Sequence, residues 1–287
     1  MEFYKILRKI PIFRNHSVIV EPLTGGLTNA NFRIDDGANK YVARFGFKTN
    51  KHLGLNRTNE IYNYRIAAQL GIGPKVVKYY PEYNMLLVEY IDGKVINPKI
   101  AKDPKIIVKI AKLIKKMHEG PKFKGLFNPF TINNKYFGLV RKNESWIPKN
   151  AQNLLQDLKT LKSRFQKMEL NYSCHLDLFT PNIVKNKDKI HFLDWEYSAK
   201  SDYRFDLATL SSMADFEPKH DRLLIRAYGR KNLSLEQLNL AKAIMLIREI
   251  GWDLVQVKFA KIDFNYKQYT LDNLKKYYKV LKQIHLN

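Results

Sequence analysis

The hydrophobic pattern of this chain changes from strand spacing to helix spacing near residue 92. Before this point, apolar and polar residues alternate in short segments such as 40–45, and turn residues separate the segments. A period of two is typical of a half-buried strand. Beyond it, segments such as 102–119 place apolar residues at helical intervals. The pattern predicts an α+β chain with a strand-rich unit over residues 1–92 and a mainly helical unit over residues 93–287.

Two groups of polar side chains flank a predicted β-hairpin in the second unit. The first is His175, Asp177 and Asn182, spaced as H-x-D-x-x-x-x-N. The second begins with Asp194, directly after the apolar strand 190–193. A short polar turn between two apolar segments predicts a tight hairpin. Because a hairpin returns the chain to its starting point, we expect Asn182 and Asp194 to lie close together.

These residue types suit phosphoryl transfer from ATP, which uses oxygen ligands for Mg²⁺ and a carboxylate that positions the attacking hydroxyl. In kinases the Asp of this pattern is the base, and the Asn and a later Asp hold the metal. The pattern assigns Asp177 as catalytic base and Asn182 with Asp194 as metal ligands, with ATP as co-substrate. The alternative is that Asp177 caps a turn and Asp194 closes a strand, both common positions for Asp. The hairpin that joins them favours the metal site.

A glycine-containing loop joins the first two predicted strands. Gly25 and Gly26 would let backbone N–H groups approach a phosphate, with Thr28 and Asn29 beside them. The loop is not a Walker P-loop, because no Gly-Lys-Ser/Thr follows it. A plain hairpin turn would use the same residues, so both interpretations stay open.

Arg44, on the third predicted strand, is the candidate cation for the nucleotide phosphates. An Arg is always charged and binds phosphate oxygens bidentately. Glu60, near the start of a helix predicted over 57–70, either pairs with Arg44 or lies on a solvated helix face.

The last predicted strand of the first unit, 85–91, ends in Asp92-Gly93, a sequence typical of a hinge. Its end would offer backbone groups to adenine. The residues concerned are Glu89, Tyr90 and Ile91.

The last third of the chain predicts two helices with aromatic and acidic residues at helical spacing. Glu249 and Trp252 share one face of the first, and Tyr266 and Tyr269 share a face of the second. Aromatic residues at this spacing usually belong to a core. The competing interpretation is an aromatic box, whose ring faces attract a cation such as a quaternary ammonium.

Composition narrows the function without deciding it. The net charge is +23, but the lysines are dispersed and no nucleic-acid-binding motif is present, so we expect no specific nucleic-acid partner. The single cysteine, Cys174, excludes an internal disulfide and a cysteine-based zinc site. The N-terminus lacks a long apolar core, and no apolar run is long enough to span a bilayer, so we expect a cytoplasmic protein. The oligomeric state stays open.

The motifs together, in this order, resemble the choline/ethanolamine kinases, and most closely the bacterial lic-type choline kinases. The resemblance covers nearly the whole chain. It is strongest in DWEY together with H-x-D-x-x-x-x-N. The matching segments are GGLTNANF (25–32), YVARF (41–45), NRTNEIYN (56–63), LLVEYIDG (86–93), SCHLDLFTPN (173–182), FLDWEYS (192–198), RFDLA (204–208) and WDLVQ (252–256).

The resemblance implies a protein-kinase-like two-lobed fold, with an antiparallel-sheet N-lobe and a mainly helical C-lobe. It also implies Mg²⁺- and ATP-dependent phosphorylation of choline, or of ethanolamine as a second acceptor. By match of motif, Asp177 is the base, Asn182 and Asp194 hold the metal, and Arg44 meets the phosphates, supported by Glu60. No Asp-Phe-Gly or Ala-Pro-Glu segment follows Asp194, which favours a small-molecule kinase over a protein kinase. Thiamine and aminoglycoside kinases share the catalytic pattern and are the alternative.

The same match places the acceptor beside Asp177, with Glu196 and Tyr197 at the rim of its pocket. The aromatic walls would be Trp252, Tyr266 and Tyr269. The family often carries two Trp three positions apart on the penultimate helix, and Glu249 stands here in place of the first. The rings favour choline over ethanolamine, so the chain is expected to accept choline first. Because a carboxylate also holds an ammonium, Glu249 should leave less discrimination between the two than a full aromatic box would give.

Overall fold

The computed structural model describes residues 2–14, 17–24, 26–47 and 52–284. Its first five strands form one antiparallel sheet in the order β1-β2-β3-β5-β4. They are β1 (Ile19–Leu23), β2 (Asn29–Asp35), β3 (Lys40–Gly46), β4 (Val76–Tyr80) and β5 (Met85–Glu89). All five overlap segments that the sequence predicts as strands, which confirms the sheet-rich first part.

The sheet has a buried layer on each face. Leu87 of β5 packs in a small core with Leu7 of α1 (Glu2–Lys9), a helix that the sequence analysis does not predict. Its neighbour Leu86 points the other way and joins the main core with α2 (Arg57–Gln69). Successive strand residues face opposite sides of a sheet, so one strand serves both cores.

Eight helices follow the sheet in the described part of the chain. They are α3 (Pro98–Ala101), α4 (Pro104–Glu119), α5 (Pro129–Lys142), α6 (Leu154–Arg164), α7 (Arg204–Met213), α8 (Pro218–Tyr228), α9 (Leu235–Phe259) and α10 (Tyr266–Gln283). α9 is buried from Gln237 to Gln256 and packs against α5, α7 and α10. A helix buried on all sides belongs to the interior. α9 is therefore the central helix of this part and can carry side chains to a site.

Five short strands frame the segment with the two polar groups. They are β6 (Lys94–Val95), β7 (Tyr172–Cys174), β8 (Ile183–Asn186), β9 (Lys189–Phe192) and β10 (Ala199–Ser201). β8 and β9 form the predicted hairpin, with β6 along β8, and β7 pairs with β10. The N–H of Leu193 donates to the carbonyl of Asn182 at 2.8 Å, so the pairing extends past both strand ends. Asn182, directly before the hairpin, and Asp194, just after it, therefore lie at the same end of the hairpin.

The sheet-rich first third and the helical remainder confirm the α+β architecture. The division at residue 92 falls just after β5 and stays a prediction. Among the described residues, no helix combines the length and the apolar character needed to cross a membrane.

Candidate active site

A cavity of about 580 Å³ lies between the sheet and the helical part. Its walls come from the loop after β1, from β3 and β5, from the hairpin segment and from α9 and α10. Most of the predicted site residues line it. Asn29, Glu60 and Tyr266 do not, and Gly25 lies outside the described residues.

Asp206, in the first turn of α7, holds the loop that carries Asp177 through two hydrogen bonds to its backbone. One Asp206 oxygen accepts from the backbone N–H of His175 at 2.9 Å, and the other from that of Leu176 at 2.6 Å. Leu176 has a left-handed backbone conformation, with φ of 66°. A residue other than glycine keeps this conformation only when its surroundings impose it. The buried carboxylate supplies that constraint, so Asp206 does more than complement the helix N-terminus.

His175 links this loop to the strand that precedes Asp194. Its Nε2 lies 2.8 Å from the carbonyl oxygen of Leu193, and its Nδ1 accepts from the N–H of Asp177 at 3.3 Å. Burial lowers the pKa of His175, although Asp206 opposes this shift, which favours the neutral ring. These partners fit the tautomer protonated on Nε2. His175 therefore fixes the position of Asp177 relative to the strand end that carries Asp194.

Asp177 and Asn182 contact each other directly. The Asn182 Nδ2 donates to Oδ2 of Asp177 and to its backbone carbonyl, both at 2.9 Å. Burial raises the pKa of Asp177 well above its usual range, while Arg248 opposes the shift. Because the nitrogen of the Asn182 amide faces Asp177, its oxygen is the atom left for another ligand.

The side chains beside Asp177 fit a hard cation such as Mg²⁺. Asn182 offers its amide oxygen and Asp194 a carboxylate, and both line the cavity at the end of the hairpin. Mg²⁺ takes oxygen ligands and is usually held by one or two carboxylates together with substrate phosphates. Asp194 has a positive φ of 61°, an unusual conformation that turns the chain directly after β9.

Arg44 forms the centre of a buried charge cluster on the sheet side of the cavity. Its Nη2 contacts Oδ1 of Asp194 and lies 3.8 Å from Glu60 and 3.9 Å from Glu196. Burial disfavours the charged form, but Asp194, Tyr64 and Glu60 together raise the pKa of Arg44 well above its ordinary value. The arginine is therefore charged and bound to the carboxylate that leaves the hairpin.

Glu60 has a closer partner than Arg44. Arg57, three residues earlier on α2, donates to it at 2.6 Å. Burial raises the pKa of Glu60, and Arg57 and then Arg44 lower it. Glu60 thus lies behind Arg44, away from the cavity surface, between two guanidinium groups.

Thr28 and Asn29, predicted for the nucleotide, contact Glu196, predicted for the acceptor. The Thr28 hydroxyl donates to Oε1 of Glu196 at 2.6 Å, and the Asn29 Nδ2 donates to Oε2 at 2.7 Å. Burial, with Asp194 adding to it and Arg44 opposing it, raises the pKa of Glu196 to about 8. Both oxygens of Glu196 therefore bind the loop from the sheet, although the residue also lines the cavity.

The end of β5 lies at the opposite edge of the cavity, where the lining includes Glu89, Tyr90 and Ile91. The N–H of Glu89 donates to the backbone carbonyl of Lys75, and that of Tyr90 donates to the backbone carbonyl of Lys40, both at 2.9 Å. These two backbone N–H groups therefore already have acceptors within the sheet part of the chain. Gly26, from the loop after β1, lines the cavity as well.

The helical side of the cavity carries aromatic rings. Tyr197, Trp252 and Tyr269 line it, as the sequence predicts, together with Phe264. The indole Nε1 of Trp252 donates to the Tyr197 hydroxyl at 2.7 Å, which fixes both rings. Tyr266 lies behind Trp252, with ring centroids 6.1 Å apart, and does not reach the cavity.

Carboxylates lie among these rings. Glu249 lines the cavity and accepts from Nη1 of Arg248 at 2.9 Å. Asp253, one turn further along α9, is fully buried and accepts from Asn273 at 2.9 Å. Burial raises the pKa of both acids, while Arg248 lowers that of Glu249. Three side chains at or beside this pocket, Arg248, Asp253 and Phe264, are absent from the predicted set.

Arg248 could have been suspected from sequence. It is a charged residue in the otherwise apolar stretch 243–248 of a predicted helix, and an arginine is almost never fully buried unless it has a partner. Asp253 and Phe264 carry no comparable mark. Their place depends on how α9 and α10 pack.

An antiparallel sheet over a helical part, with Asp177, Asn182 and Asp194 at the cavity between them, defines a kinase-like phosphotransferase. The family model described as choline/ethanolamine kinase matches residues 20–220. The chain belongs to the choline/ethanolamine kinase family, and it is an ATP-dependent kinase. This confirms the resemblance derived from its motifs.

Individual relatives agree with the family match. A probable ethanolamine kinase from Nematostella vectensis is 27% identical over 89% of this chain and 85% of its own length. The crystal structure of choline kinase LicA from Streptococcus pneumoniae has a TM-score of 0.87 at 24% identity, covering 99% of this chain and 100% of that one. A structure of LicA in complex with AMP has a TM-score of 0.83 at 25% identity, covering 98% of each chain. Named relatives thus include both choline and ethanolamine kinases.

Proposed function

We propose that this protein transfers the γ-phosphoryl group of ATP to the hydroxyl of choline, and less efficiently to that of ethanolamine. The observation that supports this most directly is the position of Asp177. It lies in one cavity between the oxygen donors of Asn182 and Asp194 and a pocket of aromatic rings and carboxylates. A hydroxyl held by that pocket would meet the carboxylate that accepts its proton.

On the nucleotide side, adenine binds at the end of β5, where Ile91 is the residue whose backbone is best placed to serve it. The backbone at Gly26 and the Arg44 guanidinium face the phosphates, with Glu60 behind Arg44. A structure of a relative contains AMP, which supports nucleotide binding in this fold. Asn182 and Asp194 would hold Mg²⁺, which supplies neutralisation of the charge on the phosphates when bound.

On the acceptor side, Asp177 orients the hydroxyl and takes its proton as the oxygen attacks the γ-phosphorus, while the bond from that phosphorus to the bridging oxygen breaks and ADP leaves. The partners of Asp177 hold it for this role, because Asn182 fixes one of its oxygens and leaves the other toward the pocket. In phosphoryl transfer most of the catalysis is positioning and electrostatic stabilisation, so a fixed carboxylate matters more than its basicity.

The rings favour choline over ethanolamine. Tyr197, Trp252, Phe264 and Tyr269 offer ring faces, and a trimethylammonium head group binds through such faces because it has no N–H to donate. Ethanolamine gains more from carboxylates, but Glu249 already accepts from Arg248. We expect discrimination of roughly tenfold or less in kcat/KM, because the difference is one pocket interaction of about 1 kcal/mol.

The test is an assay with radiolabelled ATP against choline, ethanolamine, thiamine, an aminoglycoside and an uncharged sugar. Product is expected with choline and ethanolamine, and choline should have the higher kcat/KM. Preferential phosphorylation of thiamine or the aminoglycoside would overturn the proposal. A kcat/KM for ethanolamine above that for choline would overturn the acceptor order.

A further inference from the structure

Arg248 is a buried cation that the proposed chemistry does not yet use. It projects from α9, its side chain is 2% exposed, and it lines the cavity beside Asp177. Its Nη1 donates to Glu249 at 2.9 Å and lies 3.9 Å from Oδ1 of Asp177. Nε and Nη2 are buried, and no hydrogen-bond acceptor for them is present in the described part of the chain. A buried guanidinium with so few acceptors requires an explanation.

The guanidinium lies over an aromatic ring. Its central carbon lies 4.4 Å from the ring centroid of Tyr197, and the Tyr197 hydroxyl in turn accepts from Trp252. Arg stacks on aromatic faces through its flat, delocalised charge, which a lysine ammonium does not reproduce. Arg248 therefore joins the acceptor wall to the catalytic carboxylate.

The two oxygens of Asp177 face different partners. Oδ2 accepts from Asn182 at 2.9 Å, whereas Oδ1 faces Arg248. Among the described residues, Arg248 is the one cation within ion-pair distance of Asp177. Oδ1 is thus the oxygen on the acceptor side, and its position depends on Arg248.

A simpler role for Arg248 would be to neutralise Glu249. An unpaired buried carboxylate is strongly destabilising, and removing one partner of a buried pair leaves the other uncompensated. That role does not require contact with Asp177 or with the ring of Tyr197. The two roles make different predictions when both members of the pair are removed.

We infer that Arg248 is a positioning residue for phosphoryl transfer, which holds the Asp177 carboxylate and the Tyr197 ring in register with the acceptor hydroxyl. The inference rests on the proposed function. It assigns a task to a side chain of α9 that lies 71 residues from Asp177 in the sequence.

The experiment compares Arg248→Met and Arg248→Lys with the wild-type protein at saturating choline and ATP. For Arg248→Met we expect kcat to fall by about 100-fold, the loss that a misplacement of about 1 Å can cause. KM for ATP should change less than about threefold, because Arg248 touches only the acceptor side. Arg248→Lys keeps the charge but not the flat fork, so it should recover only about a tenth of the wild-type kcat.

Arg204 offers a matched control. It is also a buried arginine, but Asp202 and Gln237 satisfy its donors and it does not line the cavity. Arg204→Lys should lower the melting temperature and leave kcat of the folded protein within about twofold of wild type. An equal fall of kcat in Arg204→Lys and Arg248→Lys would make the effect a general result of altering a buried arginine, and would overturn the inference.

The double variant Arg248→Met with Glu249→Gln separates positioning from charge balance. Glu249→Gln alone is the reference, because Glu249 also lines the acceptor pocket. If Arg248 only neutralises Glu249, the double variant should match the kcat of Glu249→Gln at saturating choline. If Arg248 positions Asp177, kcat should stay low although stability returns. Should Arg248→Met not fold, the folded double variant and Arg248→Lys carry the same comparison.

Failure of the inference is distinguishable from failure of the proposed function. If wild-type protein phosphorylates neither choline nor ethanolamine, the proposed function is wrong. If it phosphorylates them and Arg248→Met retains wild-type kcat, or the double variant matches Glu249→Gln in kcat, the function stands and the role of Arg248 is wrong.

Discussion

Two buried arginines face the cavity from opposite sides, and they are held very differently. Arg44, on β3, contacts Asp194 and lies within 4 Å of Glu60 and Glu196. Arg248, on α9, has one close carboxylate, Glu249. Two of its buried nitrogens, Nε and Nη2, have no acceptor among the described residues, whereas in Arg44 this holds for Nε alone. The sheet side is thus balanced by charge pairs before any substrate binds. On the helical side, Arg248 has one close ion pair, with Glu249, and one ring contact, with Tyr197, and two of its nitrogens could still donate hydrogen bonds.

This contrast indicates a division of tasks. Glu196 reaches back to Thr28 and Asn29, so the carboxylates near Arg44 also join the sheet to the hairpin segment. Changes on that side should alter stability and nucleotide binding together. Changes to the aromatic rings on the Arg248 side should alter acceptor binding with less effect on the fold.

The largest expected effect belongs to the carboxylate between the two sides. Asp177→Asn should lower kcat by about 1,000-fold or more, because it removes the general base and the charge that orients the hydroxyl. ATP binding, measured by calorimetry, should persist. Asp188→Asn is the control, since Asp188 lies in the exposed turn between β8 and β9. Turnover of Asp177→Asn close to wild type would remove Asp177 from the reaction.

The next effect tests whether the Arg44 side is the metal side. Asp194→Ala should reduce turnover by about 100-fold or more and weaken its dependence on Mg²⁺, because one of two oxygen donors is lost. Activity is measured across a Mg²⁺ titration, and the residual activity of Asp177→Asn serves as the reference for an inactive enzyme. Wild-type activity that survives excess chelator would contradict the metal assignment.

Arg44→Met should damage the fold itself. It leaves Asp194, Glu60 and Glu196 without a shared cation, and breaking a buried charge pair costs about 3–5 kcal/mol of unfolding free energy. Denaturant unfolding measures the loss. Arg33→Met is the matched control on the neighbouring strand β2, where a partly exposed pair with Glu21 at 3.5 Å should contribute less than about 1 kcal/mol. Equal stability of the two variants would mean that the Arg44 cluster is not a structural junction.

The smallest expected effect probes the aromatic wall on the Arg248 side. Trp252→Ala should raise KM for choline by roughly 30-fold, since an ammonium over a desolvated ring gains about 2 kcal/mol. KM for ATP should change far less, because the ring lies on the acceptor side. Trp146→Ala controls for loss of a tryptophan that does not line the cavity. Equal rises in both KM values would make Trp252 a core residue only.

Local pattern was enough to find the catalytic segment and most of the elements around it. The alternation in 40–45 follows from the two-residue period of a strand. The segments 40–45 and 85–91, both predicted as strands, became β3 and β5. Asn182 and Asp194 came to the same end of a tight hairpin because twelve positions of sequence separate them and the hairpin pairs the chain between them. The roles assigned to them, and to Asp177, stay predictions.

Sequence by itself therefore determined the fold class, the hairpin and the family, all of which depend on neighbours or on ordered motifs. Only the tertiary structure decided that Thr28 and Asn29 contact Glu196, 167 or more residues away, and that Tyr266 lies behind Trp252. It also brought Arg248 to Asp177. The physical reason is that periodicity shows which face of an element is buried, but not which distant side chain it will meet. A buried charge takes its partner from whatever packing brings within a few ångströms, and no local pattern encodes that distance.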